Sequence, residues 1–334
     1  MIKVAINGFG RIGRLAFRQI VTQTDFDIVA INDLTSAEDL AYLVKYDTVH
    51  GSFHEDEITF EGNEIVVAGK KRIKVYSETD PFNLPWGELG VDLVLECTGK
   101  FTSREGAMKH ITSGAKKVLI SAPCKDEVKT IVYGVNDNIL TSDDIIVSGA
   151  SCTTNCLAPV LYILNKNIGI KKGFMTTVHA YTNDQATLDI AHKKGIKARR
   201  GRACAQNIVP ASTGAAKAIG HVIPELNGKL DGMAMRVPTA DGSLIDVTLE
   251  LARKTTIEEF NNLFKNNHSV VLKYTEDPIV SSDCLGKKFG AIVDGLSTNI
   301  IESDDTQLVK VLAWYDNEYG YTAQMLRTAK KMFE

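Results

Sequence analysis

The stretch VAINGFGRIGRLAF, residues 4–17, places the pattern Gly8-x-Gly10-x-x-Gly13 between an apolar run and a helical one. The glycine pattern alone is a weak signal. Here, however, Asp33 ends the next apolar run about 20 residues later, which is the spacing of a dinucleotide-binding fingerprint. In such a unit the first glycine permits a tight turn, the second lets the backbone approach a pyrophosphate, and the third lets helix and strand pack closely. The stretch therefore predicts a dinucleotide site.

The same unit indicates which dinucleotide binds. The start of the helix after Gly10 offers N–H groups and partial positive charge to phosphates. Asp33 can accept hydrogen bonds from the adenosine ribose hydroxyls and would repel a 2′-phosphate, so it favours NAD over NADP. The alternative is a glycine-rich turn in an unrelated α/β fold, with Asp33 only capping the next segment. Strand, helix and acid occurring together favour the NAD site.

The first 150 residues alternate short apolar runs with helical stretches. The runs are nearly continuous and are bounded by Gly, Pro and Ser, which is typical of parallel strands covered on both faces. They are KVAIN, FDIVAIND, VDLVLECTG, KKVLISAP and IIVSGAS. We therefore predict a doubly wound, Rossmann-type α/β domain that binds NAD over residues 1–150.

The pattern changes after residue 150. One helix, residues 153–167, precedes longer segments such as LIDVTLELA and LVKVLAW, in which apolar and polar residues alternate. Alternation is typical of a sheet with one buried face. We predict a second, α+β catalytic domain with a mostly antiparallel sheet over residues 151–316. Residues 317–334 contain a predicted C-terminal helix that packs back on the first domain.

Composition excludes several classes of protein. The 334 residues are 44% hydrophobic and 24% charged with a net charge of −3, which suits two globular domains and argues against a nucleic-acid-binding surface. No apolar run approaches the roughly 18 residues that span a bilayer, and the N-terminus lacks a signal-peptide pattern. The six cysteines lack disulfide-framework or zinc-like spacing. We expect a cytoplasmic protein with free thiols, no metal and no membrane partner.

Two cysteines four positions apart stand near the start of the helix predicted in the second domain. Cys152 follows Ser151, a residue type that caps helices, so its sulfur lies at the positive end of the helix dipole, where a thiol pKa is lowered. His179, at the end of FMTTVHAYT, is the candidate base. Taken alone, Cys152 could equally be a core thiol, but the dinucleotide site favours a catalytic one. Cys156 is expected to pack in the core, and Pro159 should kink the helix.

Long motifs along the whole chain resemble the glyceraldehyde-3-phosphate dehydrogenase family, the phosphorylating, NAD-dependent enzymes of glycolysis. They are INGFGRIGR, ASCTTN, HAYT, PASTGAAKA, RVPT and WYDNE, which begin at Ile6, Ala150, His179, Pro210, Arg236 and Trp314. The motifs are long and stand in the family's order. The resemblance implies a homotetramer.

The resemblance also implies the reaction. Cys152 attacks the aldehyde of D-glyceraldehyde 3-phosphate while His179 handles the proton, and hydride passes to NAD to leave a thioester on Cys152. Inorganic phosphate then attacks the thioester and releases 1,3-bisphosphoglycerate. Erythrose-4-phosphate dehydrogenase, which shares the thiol, the histidine and the fold but hydrolyses the thioester, is the alternative enzyme.

The resemblance further implies two anion sites and several cofactor contacts. Inorganic phosphate is implied to bind Ser151, Thr153, Thr213 and Gly214. The substrate phosphate is implied to bind Thr182, Arg236 and Arg200, with Arg199 as an alternative to Arg200. The implied cofactor contacts are Arg11 and Ile12 at the pyrophosphate, Ser121 near the nicotinamide end, Asn317 at the carboxamide and Tyr321 beside the nicotinamide ring.

Two positions depart from the family pattern. Thr79 stands where many members carry Arg, so we expect one adenosine contact to be missing. Ala191 stands where bacterial NAD-specific members often carry Pro, so the preference for NAD rests mainly on Asp33 and Leu34.

The segment HKKGIKARRGR, residues 192–202, carries six Lys and Arg residues in eleven positions. It could be a solvated loop, or a patch for RNA or an anionic surface that would make the protein a moonlighting binding protein. A run this basic in an acidic chain calls for a local anion. The resemblance implies the family's S-loop, which lies between subunits near the cofactor and lends one arginine to the substrate phosphate. We favour the S-loop.

Overall fold

The computed structural model describes residues 1–124, 126–193, 195 and 197–334, so Lys194 and Ile196 of the basic segment lie outside the described residues. The chain divides into two compact units. The first comprises Met1–Ile131, Asp137–Ala150 and Met325–Glu334, and the second comprises Val132–Asn136 and Ser151–Gln324. Among the described residues, no helix is both long and apolar enough to cross a bilayer.

The first unit contains the strands β1 Ile2–Asn7, β2 Phe26–Asn32, β3 Ile58–Glu61, β4 Glu64–Val67, β5 Lys71–Tyr76, β6 Leu93–Glu96, β7 Lys117–Ile120, β8 Lys129–Thr130 and β9 Ile146–Ser148. Its helices are α1 Arg11–Ile20, α2 Ala37–Lys45, α3 Trp86–Leu89 and α4 Arg104–Thr112. In the described residues the strands form one sheet in the order β3-β4-β5-β2-β1-β6-β7-β9-β8. The pairs β3–β4 and β4–β5 are antiparallel, and the central pairs from β5 to β8 are parallel.

This sheet confirms the predicted doubly wound class, because its central strands are buried on both faces. Leu93 and Leu95 of β6 enter one apolar cluster, while Val94 enters a second cluster on the other face. Burial of one such side chain stabilises the fold by about 1.5–3 kcal/mol. Met325 and Met332, near the C-terminus, belong to the first cluster.

The second unit contains the strands β10 Ile170–Ala180, β11 Val209–Ser212, β12 Leu230–Val237, β13 Ser243–Leu251, β14 Leu272–Thr275, β15 Ala291–Ser303 and β16 Thr306–Tyr315. The remaining helices of the chain are α5 Cys152–Asn167, α6 Ala215–Val222, α7 Ile257–Asn266 and α8 Tyr319–Lys331. In the part of the chain that the structure describes, the sheet order is β11-β12-β10-β13-β16-β15-β14. The pairs β10–β12 and β14–β15 are parallel and the other pairs are antiparallel, as the mostly antiparallel prediction requires.

Helix α5 continues through Pro159 as a single helix of 16 residues. A proline inside a helix removes one backbone hydrogen bond. Every residue from Thr153 to Leu161 is buried, so packing of this helix offsets that loss. The proline therefore does not displace the start of α5, where Cys152 stands.

Candidate functional site

The three glycines of the first strand–helix turn have different surroundings. A Cβ on Gly8, which has φ +89°, would lie 2.6 Å from the backbone nitrogen of Thr98. A Cβ on Gly13 would lie 2.2 Å from the carbonyl oxygen of Gly8. A Cβ on Gly10 would meet no described atom within 4 Å. The fold itself thus needs glycine at positions 8 and 13, whereas the space beside Gly10 is open to a ligand.

Helix α1 begins directly after Gly10, its N-cap residue. Gly10 has no side chain with which to cap the N–H groups of the first turn, where Arg11 and Ile12 stand, and such an end attracts anions. The guanidinium of Arg11 forms a bidentate pair with the carboxylate of Asp47. Burial would raise the pKa of Asp47, but the hydrogen bonds from Arg11 and from the backbone of His50 lower it to about 2. The Arg11 side chain is therefore paired with Asp47, and it is the backbone of Arg11 that belongs to the anion-attracting first turn.

A cleft of about 290 Å³ opens above this turn at the carboxyl ends of the parallel strands. Its lining includes Gly8, Gly10, Asp33, Leu34 and Thr79. The carboxylate of Asp33 accepts N–H bonds from Phe9 (Oδ2, 2.7 Å) and Thr35 (Oδ1, 3.0 Å), which hold it at the cleft wall. The glycine turn offers N–H donors to a pyrophosphate, and the fixed carboxylate offers acceptors to ribose hydroxyls, so these residues fit NAD.

Ser121 follows β7 in the same unit. Its backbone N–H donates to the carbonyl oxygen of Glu96 at 3.0 Å. Its hydroxyl is hydrogen-bonded to the thiol of Cys97, a residue that lines the cleft. Ser121 is thus linked to the cleft through Cys97.

The start of α5 and the end of β10 meet in the second unit. Sγ of Cys152 lies 3.4 Å from Nε2 of His179. Cys152 is the first residue of α5, and Ser151 caps the helix, because its hydroxyl accepts the N–H of Thr154 at 3.1 Å. The structure therefore brings the predicted nucleophile and base into contact.

The proton position on His179 follows from its other contacts. Nδ1 lies 2.7 Å from the carbonyl oxygen of Ala180, the closer of its two polar neighbours. Nη1 of Arg236, which can only donate, has the same carbonyl oxygen as its acceptor, so we assign the ring proton to Nδ1. Nε2 then carries the lone pair that faces Sγ of Cys152. Nη1 of Arg236 lies 2.9 Å from both Nδ1 and the Ala180 oxygen, so a positive charge stands behind the imidazole.

Burial sets the charge state of this pair. It raises the pKa of the Cys152 thiol, although the charge of Arg236 acts in the opposite direction. Burial and then Arg236 lower the pKa of His179 to about 3. Without substrate, the pair therefore favours a thiol beside a neutral imidazole. The lowered thiol pKa that the helix end predicts is outweighed by the loss of solvation.

The cations predicted for the substrate phosphate converge near His179. Arg236 donates to the hydroxyl of Thr182 at 3.3 Å. Asp184, which the sequence reasoning missed, accepts hydrogen bonds from both Thr182 and Arg200. In the described residues Nε of Arg236 is buried without a hydrogen-bond partner, which suits a bound anion. Arg199 is exposed and stands next to this cluster in sequence.

The residues expected at the inorganic phosphate lie at two helix starts. The hydroxyl of Thr153 is buried and lies 2.9 Å from the hydroxyl of Tyr315. Gly214 is the N-cap residue of α6, and the hydroxyl of Thr213 accepts the N–H of Ala215 at 3.2 Å. The capping pattern was visible in the sequence, but the partnership with Tyr315 was not.

Tyr315 contacts both Thr153, beside Cys152, and the ring of His179. Its hydroxyl lies 2.8 Å from that of Thr177, which in turn donates to the carbonyl oxygen of Leu244. Its ring contacts the ring of His179 edge-to-face, with 5.9 Å between centroids. Tyrosine in a strand carries no catalytic signal by itself, so only the structure reveals this support of His179.

Asn317 and Tyr321 lie near the chain's end. Oδ1 of Asn317 accepts the hydroxyl of Ser243 at 2.6 Å, and Ser243 accepts the N–H of Ala180 at 3.0 Å. This chain ties Asn317 to the end of the strand that carries His179. Tyr321 is a buried residue of α8, 4% exposed.

The chain is similar to one family along nearly its whole length. The model described as glyceraldehyde 3-phosphate dehydrogenase, NAD binding domain, matches residues 2–104, and that of the C-terminal domain matches residues 151–317. Glyceraldehyde-3-phosphate dehydrogenase of Clostridium pasteurianum is 55% identical over 328 residues, which are 98% of this chain and 97% of that protein. The Clostridium acetobutylicum protein of the same name is 54% identical over 328 residues, and that of Lactobacillus delbrueckii subsp. bulgaricus is 53% identical over 332, with the same coverage.

Proposed function

The chain belongs to the glyceraldehyde 3-phosphate dehydrogenase family, and on this premise we propose that Cys152 is its nucleophile and His179 its general base. The reaction is the NAD-dependent oxidation and phosphorylation of D-glyceraldehyde 3-phosphate to 1,3-bisphosphoglycerate. The observation that carries the assignment is the 3.4 Å contact between Sγ and Nε2, with the opposite ring nitrogen bound to a carbonyl oxygen. The two rival functions, an erythrose-4-phosphate dehydrogenase and a binding protein acting through residues 192–202, gain no support from the relatives.

The first chemical step follows from the neutral pair. As Sγ of Cys152 bonds to the aldehyde carbon, Nε2 of His179 takes the thiol proton and passes it to the developing alkoxide, which gives a hemithioacetal. Nε2 then removes that hydroxyl proton while the hydride leaves the same carbon, and a thioester remains on Cys152. NAD, when bound, supplies the hydride acceptor. Burial of the ring and the positive charge of Arg236 behind it favour loss of the proton again, because both lower the pKa of His179.

The second step transfers the acyl group to phosphate. An oxygen of inorganic phosphate attacks the thioester carbon, the carbon–sulfur bond breaks, and the thiolate of Cys152 recovers its proton through His179. We place this phosphate at Ser151, Thr153, Thr213 and Gly214, where hydroxyls and helix starts offer hydrogen-bond donors. The hydroxyl of Thr153 can contribute while it keeps its bond to Tyr315, since a hydroxyl makes more than one hydrogen bond.

The phosphate of the substrate is assigned to Arg236, Thr182 and Arg200. The buried, unpartnered Nε of Arg236 supports this assignment. We choose Arg200 over Arg199 because Arg200 shares the partner Asp184 with Thr182. A phosphate entering this cluster would compete with the Asp184 carboxylate for both groups.

On the cofactor side we assign the pyrophosphate to Gly8, Gly10, Gly13 and the backbone of Arg11 and Ile12, the adenosine ribose to Asp33, and the nicotinamide end to Ser121, Asn317 and Tyr321. We propose residues 1–150, with the helix in 317–334, as the NAD-binding domain and residues 151–316 as the catalytic domain; by compactness alone, residues 132–136 and 317–324 group with the second unit. NAD itself is established by the family model that matches residues 2–104.

We also propose a homotetramer in the cytoplasm. The second unit exposes large apolar side chains on its sheet, among them Phe174 at 71%, Ile301 at 67% and Leu308 at 46%. Exposed apolar groups clustered on one sheet mark surfaces that other subunits cover. All six cysteines are free in the described structure, which suits a reducing compartment.

The experiment that tests the site is a rapid-mixing measurement of the NADH burst, which reports acylation of Cys152. His179→Asn should slow the burst by about 10²–10⁴-fold and change its pH profile, because the thiol loses its proton acceptor. The control is His221→Asn, which alters an exposed histidine of the same unit and should leave the burst unchanged. A normal burst and pH profile in His179→Asn would contradict the assignment.

A further inference from the structure

A cluster of polar side chains lies buried beneath the NAD cleft, at the carboxyl ends of three neighbouring strands. Asn7 ends β1, Asn32 ends β2 and Glu96 ends β6, while His110 belongs to α4. Glu96 is 1% exposed, and Asn7 and His110 are 0% exposed. Burial of so many polar groups costs free energy unless their hydrogen bonds are made, so their arrangement requires a reason.

The tautomer of His110 is determined by its neighbours. The indole N–H of Trp86, which can only donate, lies 3.0 Å from Nδ1 of His110. Nδ1 is therefore an acceptor, and the ring proton stands on Nε2, 3.0 Å from Oε2 of Glu96. The contact between His110 and Glu96 is thus a hydrogen bond from a neutral imidazole to a carboxylate.

The carboxylate of Glu96 accepts hydrogen bonds on both oxygens. Oε2 also accepts from Nδ2 of Asn7 at 2.6 Å. Oε1 accepts from the backbone N–H of Thr98 at 2.8 Å and from the hydroxyl of Thr98. The four donors come from β1, from α4 and from the segment after β6, so a single side chain joins three parts of the unit.

Two of these contacts reach the cleft wall. Thr98 is the residue whose backbone nitrogen would lie 2.6 Å from a Cβ on Gly8, so Thr98 and the glycine turn are packed directly on each other. Oδ1 of Asn7 accepts a hydrogen bond from Nδ2 of Asn32 at 2.7 Å. Nδ2 of Asn32 also donates to the carbonyl oxygen of Glu78, and its Oδ1 accepts the N–H of Glu78. Thr98, Asn7, Asn32 and Glu78 all line the cleft.

We propose that Glu96, with His110 behind it, is a positioning residue for NAD: it fixes the glycine turn and the adenosine wall of the cleft without contacting the cofactor. The inference rests on the proposed use of this cleft by NAD. A buried carboxylate beneath a site for an anionic pyrophosphate would by charge alone weaken binding. If Glu96 acted only through its charge, removing that charge would strengthen NAD binding. If Glu96 positions the cleft wall, removing its carboxylate should weaken NAD binding.

Glu96→Gln separates the two effects. The substitution removes the negative charge and keeps the shape, but an amide NH₂ must then face N–H or O–H donors in either orientation. We expect the Kd values for NAD and for ADP-ribose, measured by calorimetry on the full chain, to rise about tenfold. KM for NAD should rise equally, while kcat and KM for glyceraldehyde 3-phosphate should stay within about twofold.

Asp294→Asn is the matched control. Asp294 is a buried acid of the second unit, 6% exposed, that accepts the indole N–H of Trp314 and the backbone N–H groups of Leu296 and Ser297. Its substitution disturbs a comparable network and should leave both Kd values unchanged.

His110→Gln is the second variant, in case Glu96→Gln does not fold. His110 is not a cleft-lining residue in the described structure, and we expect about threefold weaker binding of both ligands.

Tighter or unchanged NAD binding in folded Glu96→Gln would overturn the inference, as would unchanged binding in folded His110→Gln. Equal weakening in Asp294→Asn would also overturn it, because the effect would then be general destabilisation. If the wild-type chain failed to bind ADP-ribose, the proposed NAD cleft would be wrong and the inference would fall with it. If the wild-type chain binds both ligands and folded Glu96→Gln and His110→Gln bind them equally well, the inference is overturned but the proposed NAD cleft is not.

Discussion

The two units form their sites in different ways, one from backbone conformation and the other from side chains. In the first unit, the cleft depends on backbone conformation within one strand–helix turn, where Gly8, Gly10 and Gly13 follow one another closely. In the second unit, the site depends on side chains from separate elements: Cys152 begins α5, His179 lies in β10 and Arg236 lies in β12. The register of β10 with β12 pairs His179 directly with Arg236, which is why the base and the cation are adjacent.

This difference determines what a substitution can do. Changing a backbone-based site alters the path of the chain, so stability and ligand binding are affected together unless the changed position faces open space. Changing a side-chain site removes one chemical group from a surrounding fold that persists. Three tests examine this contrast.

The largest effect is expected for the two cysteines of α5. Cys152→Ser should reduce oxidation of glyceraldehyde 3-phosphate by at least about 10³-fold, because a hydroxyl is a far weaker nucleophile beside the same imidazole. Steady-state NADH formation and the NADH burst measure this loss.

Cys156→Ser is the control within the same helix. Cys156 is 0% exposed and its thiol lies 3.8 Å from the carbonyl oxygen of Ala313, as expected for a packing residue. The substitution should lower the free energy of unfolding by about 1–2 kcal/mol and leave kcat nearly unchanged. Equal loss of activity in both variants would show that the reactive cysteine has been assigned wrongly.

An intermediate effect is expected for the glycines of the first unit. Gly13→Ala places a Cβ against the carbonyl oxygen of Gly8 and should destabilise the protein by roughly 1–3 kcal/mol in urea unfolding. Gly10→Ala meets open space and should cost at most about 1 kcal/mol, mainly because alanine is a poorer N-cap.

Binding separates the two glycine variants further. Gly10→Ala should weaken NAD binding about tenfold despite its small effect on stability, because the added methyl group occupies the space that the pyrophosphate approaches. Calorimetric titration with NAD measures this. Wild-type affinity in Gly10→Ala would place the pyrophosphate elsewhere.

The smallest expected effect on activity concerns buried acids, because this effect is confined to stability. Glu96 of the first unit accepts hydrogen bonds from several donors, whereas Asp241 of the second unit is hydrogen-bonded to another acid, Asp316. Burial and the charge of Asp316 raise the pKa of Asp241 to about 9. Because the folded state holds this proton more tightly than the unfolded state does, the resulting stability is present at acid pH and is lost as pH rises from about 4 through about 9.

Asp241→Asn should reduce that loss, since its amide stays neutral and can donate to Asp316. Between pH 6 and 9, wild type should lose more unfolding free energy than the variant, by on the order of 1–3 kcal/mol. Urea unfolding at both pH values measures the difference. Asp231→Asn, at an exposed position, should behave like wild type, and identical pH dependence in wild type and Asp241→Asn would rule out the shared proton.

Much of the fold could be predicted because its signals are local. The buried strands of the first sheet are continuous apolar runs, and β13 alternates strictly between buried and half-buried residues. The strands β3, β4 and β5 at one side of the sheet were not predicted, because β3 and β4 are only four residues long and β5 is interrupted by polar residues. The long strand β15 was missed because Gly295 and polar residues interrupt its pattern.

The sequence by itself determined the glycine turn, the acid after β2, the capped cysteine and the family. Each of these is recognised from short motifs of neighbouring residues. Only the tertiary structure decided that Tyr315 supports His179, that Asp184 joins Thr182 to Arg200, and that Glu96 holds the cleft wall. It also showed that burial raises the pKa of the Cys152 thiol, although the positive end of the helix dipole was expected to lower it. These properties depend on strand register and on loss of solvent, and neither is encoded in the spacing of neighbouring residues.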